Sequence, residues 1–321
     1  MITRIFDKSK PINFIIAFSI VLIAFVSAQF KLFQSELDLT QLLVQIGNFL
    51  LCLLTLSLLN FIVSKNNLTQ KSSYKILLYS LFFAMVPFAM NDTNVLISNI
   101  FVLLALRRII SLKSLIKVKN KLLDAAVLIA LASFFHFWSI LFILLVFASL
   151  LFYSENKIKN WIVPFVGLST VALIFVAYHI VRFDTYGNFM TYIDGVDFNY
   201  ENYNSLKMII SITVLLSFGI WASFFYIKSI NKKLKTFRPS YIIIMIMSVI
   251  SVFVAILTPN KNGSEIIFIF APLAIIITNY IEVFEEKLFN ELLLAILILI
   301  PISFQFFCVK MLYDFIVSLP I

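Results

Sequence analysis

Four polar turns in an otherwise apolar chain carry the residue types that chemistry needs. The first reads Lys31-Leu-Phe-Gln-Ser-Glu36-Leu-Asp38. In an extended loop, a Glu-x-Asp spacing permits both carboxylates to bind one cation, or one of them to take a proton from a nearby hydroxyl. A loop with two solvated acids reads the same way. The second turn is Asn91-Asp92-Thr93-Asn94, after Pro87. Asp92 or Thr93 there caps the free amides of a following helix, a role compatible with catalysis. The third, 182–207, sets Asp184, Asp194, Asp197 and Glu201 among seven aromatic residues. Rings in such a segment lie at the lipid headgroups or stack on sugar faces while the carboxylates accept hydroxyl protons. In the fourth, 258–265, Lys261 either meets a lipid phosphate or offsets Glu265.

Both histidines stand near these turns. His136 lies between Phe135 and Phe137 beside Trp138, as an interfacial structural group or a substrate contact. His179 and Arg182, one turn apart, together suit an anion such as a phosphate, with snorkelling as the alternative. Cys52 and Cys308 fall inside apolar runs and read as packing residues rather than a disulfide or a metal pair. The sequence has no P-loop, HExxH, GxSxG or Cys/His metal spacing, so it offers no motif for an ATP-driven pump, a zinc protease or a serine hydrolase. No metal ligands are assigned; a divalent cation is compatible with the acidic turns but not required.

The elements that must position these residues are membrane spans. Apolar residues make up 62% of the 321 positions and charged ones 13%, about half the share of a soluble domain; mean hydropathy is +1.03. The net charge of +9 comes from short clusters at the ends of apolar runs, so no basic face remains for nucleic acid. Twenty of the twenty-five lysines and arginines fall in segments 1–11, 65–75, 107–121, 154–160, 228–238 and 282–291. The positive-inside rule places these, and the N-terminus, in the cytoplasm. Lys31, Arg182, Lys207, Lys261 and Lys310 then lie outside, as do the four polar turns. The fold predicted is all-α: one polytopic membrane domain over 1–321 with no soluble domain. About eleven spans are expected near 12–30, 42–64, 75–90, 94–106, 122–134, 137–153, 161–181, 208–229, 241–258, 265–281 and 291–309. Residues 122–153 would extend about 48 Å as one helix, too long for one crossing. Two short helices meeting near His136 resolve this and keep Lys232–Lys235 inside. With six glycines, helix contacts are expected to rest on Ser, Ala and Phe rather than on a GxxxG face. Partial helix along the outer interface is expected within 182–207.

This layout resembles the GT-C superfamily of membrane glycosyltransferases that use polyprenyl-phosphate sugars. The likeness lies in an acidic loop after the first span, a second acidic turn between spans three and four, and a basic turn running into a helix with a Pro-Leu-Ala core (272–274). The chain also resembles an uncharacterised bacterial multi-pass membrane family marked by Leu-Ala-Leu-Arg-Arg (104–108) and Asp-Ala-Ala (124–126). The first resemblance implies transfer from a lipid-linked sugar on the periplasmic side of the bacterial inner membrane. Glu36 and Asp38 would match the catalytic base pair, Asp92 the second acid, and Lys261 the residue facing the lipid phosphate. Membrane lipid and other envelope proteins are the expected partners. Two other classes fit the same pattern: a non-catalytic subunit of an envelope complex, and a lipid or solute transporter.

In a chain cleared of Cys52 and Cys308, His136→Cys is expected to react with an impermeant thiol reagent applied from outside, and Lys157→Cys to be spared. Labelling of 157 with sparing of 136 overturns the hairpin.

Overall fold

The computed structural model describes residues 2–29, 38–153, 158–183, 194–259, 261–283 and 287–318, without the side chains of 2, 4, 183, 287, 288 and 305–318. A short α1 (Ile2–Phe6) precedes α2 (Pro11–Ala28), α3 (Leu39–Asn66), α4 (Tyr74–Met85) and α5 (Thr93–Ile110). Then come α6 (Val118–Phe135), α7 (Ile143–Tyr153), α8 (Ile158–Phe183), α9 (Leu206–Ile230), α10 (Arg238–Leu257), α11 (Ile267–Val283) and α12 (Lys287–Ser318). Among the described residues there is no strand. In hydrocarbon each backbone amide and carbonyl must find its partner inside its own segment, which a helix provides. Among the described residues seven segments are long and apolar enough to cross a membrane; Tyr74–Met85, Phe137–Tyr153 and Phe289–Phe304 are shorter apolar helices. The protein is an all-α polytopic membrane protein; each expected span overlaps a helix, the one near 122–134 falling on α6, which belongs to neither of these two groups.

The break expected near His136 is present. His136 is extended (φ −148, ψ 104) between α6 and a 3-10 turn at Phe137–Phe142. Val118, at the start of α6, and Tyr153, at the end of α7, line one small crevice, so the chain folds back on itself. No interfacial helix appears in the described part of 182–207. Residues 194–200 are irregular and only Glu201–Tyr203 turns, as 3-10. The polar groups of this segment bond one another, through Asn199 with Asp197 and Glu201, and also bond the neighbouring 258–265 turn, as described below.

Two helices sit at the centre. All twelve residues of α4 are buried, as are those of α11 from Ile267 to Ile281. Tyr79, Phe82 and Phe83 of α4 surround Phe270 of α11 at ring distances of 5.5–6.0 Å. Pro272 lacks the amide that would bind the Phe268 carbonyl; the Ser251 hydroxyl of α10 reaches that oxygen at 2.9 Å. The outer helices turn apolar side chains outward, Val181 of α8 being 85% and Ile220 of α9 72% exposed, as a lipid-facing surface requires.

Side-chain bonds define the two ends of the bundle. At one end Lys113 donates to the Asn66 carbonyl (3.3 Å), Asn279 to that of Leu68 (2.9 Å), and the Gln70 amide to Glu282 (2.8 Å). The basic clusters near 65–75, 107–121 and 228–238 gather here. At the other end Gln29 meets Asn91, and His136 meets Thr258.

One close helix crossing uses a glycine. A Cβ on Gly167 of α8 would stand 2.8 Å from the Ala126 Cβ and 3.3 Å from the Leu123 carbonyl of α6. Gly167→Val is therefore expected to lower unfolding stability by about 1–3 kcal/mol, read as a drop in thermal midpoint in detergent. An unchanged midpoint would show that α8 does not press on α6.

Candidate functional site

The cleft at the end opposite the basic clusters begins with the shortness of α4. Its twelve residues rise about 18 Å, against roughly 30 Å of hydrocarbon, and the chain then turns through Pro87–Met90 into Asn91. Asp92 caps α5: its Oδ1 accepts from the Asn94 amide (2.9 Å) and the Val95 amide (3.2 Å). The turn is tied to two neighbours. Gln29 of the α2 end donates to Asn91 Oδ1 at 3.0 Å; Asn48 of α3 donates to the Asn91 carbonyl at 3.3 Å and accepts from the Thr93 hydroxyl at 2.7 Å. The cleft, of about 370 Å3, is lined by Phe88, Asn91, Asp92, Thr93, Asn94 and Asn262.

Its hydrogen-bonding character follows from these bonds. Asp92 Oδ2 has no hydrogen bond among the described residues and remains an acceptor. Asn262 Oδ1 accepts from the Ser264 amide and hydroxyl (2.9 and 2.6 Å), which leaves its Nδ2 as a donor. A carboxylate acceptor and an amide donor in one cleft match a hydroxyl group, which both donates and accepts.

The remaining expected site residues are distributed more widely. Glu36 lies outside the described residues. Asp38 precedes α3, exposed and bonded to the Thr40 hydroxyl. It stands ten residues, or about 15 Å at 1.5 Å per residue, along the helix from Asn48, the rung that touches the Asp92 turn. The structure does not bring Asp38 to the Asp92 cleft. His179, 5% exposed, sits on α8, its ring 6.1 Å from Phe175. Phe175 in turn stacks on Phe134 at 4.6 Å, so His179 and the exposed Arg182 lie on the α6–α8 flank, apart from the cleft lining. Lys261 is 1% exposed. Its ammonium donates to the carbonyls of Asp197 and Thr258 and covers the Tyr200 ring at 4.5 Å. It neighbours Asn262 of the cleft, yet its charge is directed into the 194–200 segment.

A network that the sequence did not announce surrounds Lys261. Asn202 donates to the Lys261 carbonyl (2.9 Å), Trp138 to that of Gly195 (3.3 Å), and the Tyr203 hydroxyl to buried Glu265. Burial, and then the facing Glu265 carboxylate, hold the Tyr203 hydroxyl well above its ordinary pKa. Gly263 makes the turn possible, with φ +92 and only 2.3 Å between a hypothetical Cβ and the Met208 Cε. Among the described residues no three His, Cys, Asp or Glu side chains come close enough to hold a metal ion.

A family model covers residues 1–313 and describes a family of unknown function, DUF6427. The chain belongs to that family. No curated protein and no solved structure matches it. For this DUF6427 chain the geometry around Asp92 is therefore the main guide to function.

His136 joins the hairpin to the end of α10. Its Nε2 lies 3.1 Å from Thr258 Oγ1, whose own proton goes to the Val254 carbonyl at 2.7 Å; the imidazole is thus the Nε2–H tautomer. Burial pushes its pKa down from 6.5 to about 4, and the Asp92 charge offsets only part of this. The stability associated with the neutral ring is present above pH 6.5 and is lost as pH falls through that value toward 4, because the unfolded chain binds the proton first. The full loss is about 3 kcal/mol at 1.36 kcal/mol per pKa unit. His136→Gln is expected to flatten this acid limb in thermal unfolding between pH 7 and 4; an identical limb in the variant would refute the assignment.

Proposed function

We propose that the chain is a GT-C-like membrane glycosyltransferase that takes a sugar from a lipid-linked donor at the cleft end of the bundle. The observation that carries the reading is Asp92, with Oδ1 pinned by two backbone amides and Oδ2 unengaged in a cleft that also offers the Asn262 amide. Pinning one oxygen aims the other. In the reaction, Oδ2 takes the proton of the acceptor hydroxyl, the hydroxyl oxygen bonds to the anomeric carbon, and the bond from that carbon to the lipid phosphate oxygen breaks. Phe88, half exposed at the rim, supplies an apolar face for the sugar ring. The departing phosphate needs a cation, and Lys261 would exchange its two carbonyl partners for it. The basic clusters at the opposite end support a periplasmic position for the cleft in a bacterial inner membrane.

A specific observation favours a second reading. Asp38 stands about 15 Å along α3 from the Asp92 turn, and Asp92 already serves as a helix cap. A non-catalytic membrane subunit that holds a hydroxyl-rich ligand requires neither a second carboxylate nor a free cation.

Asp92→Asn separates the two. Asparagine caps helices as well as aspartate does, so the thermal midpoint is expected to be unchanged. Release of undecaprenyl phosphate from a panel of undecaprenyl-phosphate hexoses, with the protein in nanodiscs, is expected to fall about 10²–10⁴-fold. Equal release by wild type and variant would exclude Asp92 as the base. Absence of release by the wild type, with saturable binding of the same lipids, would establish the second reading.

A further inference from the structure

The basic end holds a second concavity, unrelated to the Asp92 cleft. It lies between the last turn of α9 and the end of α11, encloses about 280 Å3, and is lined by residues including Lys228, Ser229, Lys232, Asn279, Tyr280 and Val283. Two lysines contribute to its walls, and no carboxylate does among the described residues. The nearest acid along α11, Glu282, is turned elsewhere: its oxygens accept from the Ser72 hydroxyl (2.5 Å) and the Gln70 amide (2.8 Å). Asn279 is likewise committed, its Nδ2 donating to the carbonyls of Leu68 and Ile275 at 2.9 Å. The Lys228 ammonium sits 4.2 Å over the Phe224 ring, held at the boundary between apolar and polar surface rather than extended into water.

Directly along α9 from this concavity runs an exposed apolar stripe. Ile220, Phe224 and Ile227 recur at helical spacing and are each more than half exposed, with Trp221 beside them. Val283 continues the apolar surface from α11. A polar, cationic recess opening onto a hydrocarbon-facing stripe has the two-part character of a phospholipid.

We propose that this recess binds the phosphate headgroup of an anionic phospholipid, with one acyl chain along the α9 stripe. The lysines supply the charge a phosphodiester needs, and a basic pocket between spans at a positively charged membrane end is where such headgroups bind. A zwitterionic lipid brings a choline that gains nothing from the two lysines.

Native mass spectrometry of the full chain, delipidated in detergent and titrated with phosphatidylglycerol or phosphatidylcholine, tests the idea. One phosphatidylglycerol is expected to bind at least about tenfold more tightly than phosphatidylcholine, and Lys228→Gln with Lys232→Gln to abolish that preference. Lys65→Gln with Lys119→Gln, which removes two cations of the same end from outside the recess, is expected to leave it intact. Equal binding of the two lipids by the wild type overturns the proposal. So does an equal effect of the two double variants, which would make the preference a property of the whole basic end.

Discussion

The structure depends on the carbonyls and amides of two helices that reach neither water nor lipid. α4, and α11 as far as Ile281, are buried all round, so a backbone carbonyl or amide that they leave unpaired calls for a partner on a neighbouring helix. Ser251 does this for the Phe268 carbonyl that Pro272 leaves without a partner, and Ser211 of α9 does it for the Met85 carbonyl (2.7 Å) where α4 stops. These bonds fix how α9 and α10 sit against the centre. The aromatic cluster of Tyr79, Phe82, Phe83 and Phe270 then fills the interface with large flat groups at edge and tilted angles. The outer helices have a simpler task. They close the ring with one side and dissolve in lipid with the other.

Both candidate sites are products of this arrangement, because each lies where a central helix stops. The Asp92 turn follows the early end of α4, and Asn262 belongs to the turn that leads into α11. The lysine-lined recess lies at the far end of α11. The ends differ in chemistry: one collects amides, hydroxyls and a capped carboxylate, the other lysines and arginines. Helix caps and sites coincide for the same reason, since unpaired amides and carbonyls at helix ends demand polar side chains that other molecules can also use.

The spans were legible because long apolar runs leave few alternatives, and the reversal at His136 followed from length and charge alone. The position of Asp92 at a helix start was also readable, from an acid ahead of an apolar run. What the sequence could not convey was register between helices. Glu36-x-Asp38 and Asp92 share one end of the chain's layout, and only the length of α3 above Asn48 shows Asp38 to stand apart. Lys261 read as a contact for a lipid phosphate or an offset to Glu265 because its partners, the carbonyls of Asp197 and Thr258, are backbone atoms with no trace in side-chain identity. Asn48 carries a different kind of signal. It is one of several amides in a long apolar run, with Gln45 and Asn60, and the expense of an amide in hydrocarbon marks it as tied to something. Gly167 belongs to no GxxxG pair; its small partner is Ala126 on another helix.

The shortest helix bears on how the chain is assembled. Thr3 of α1 donates to Glu291 of α12 at 3.1 Å and accepts at its carbonyl from the Tyr74 hydroxyl at 2.6 Å, while the Ser73 amide reaches the Phe6 carbonyl at 2.8 Å. The contact between Thr3 and Glu291 closes a loop of 288 positions. At roughly 5–20 residues per second, a ribosome needs on the order of 15–60 s to make that stretch. Until then α1 has the bonds of Asn13 on α2 to the Ile5 carbonyl and of Tyr74 on α4 to the Thr3 carbonyl, while the spans between are made. The seam between α1 and α12 can close only after the spans between them have been made.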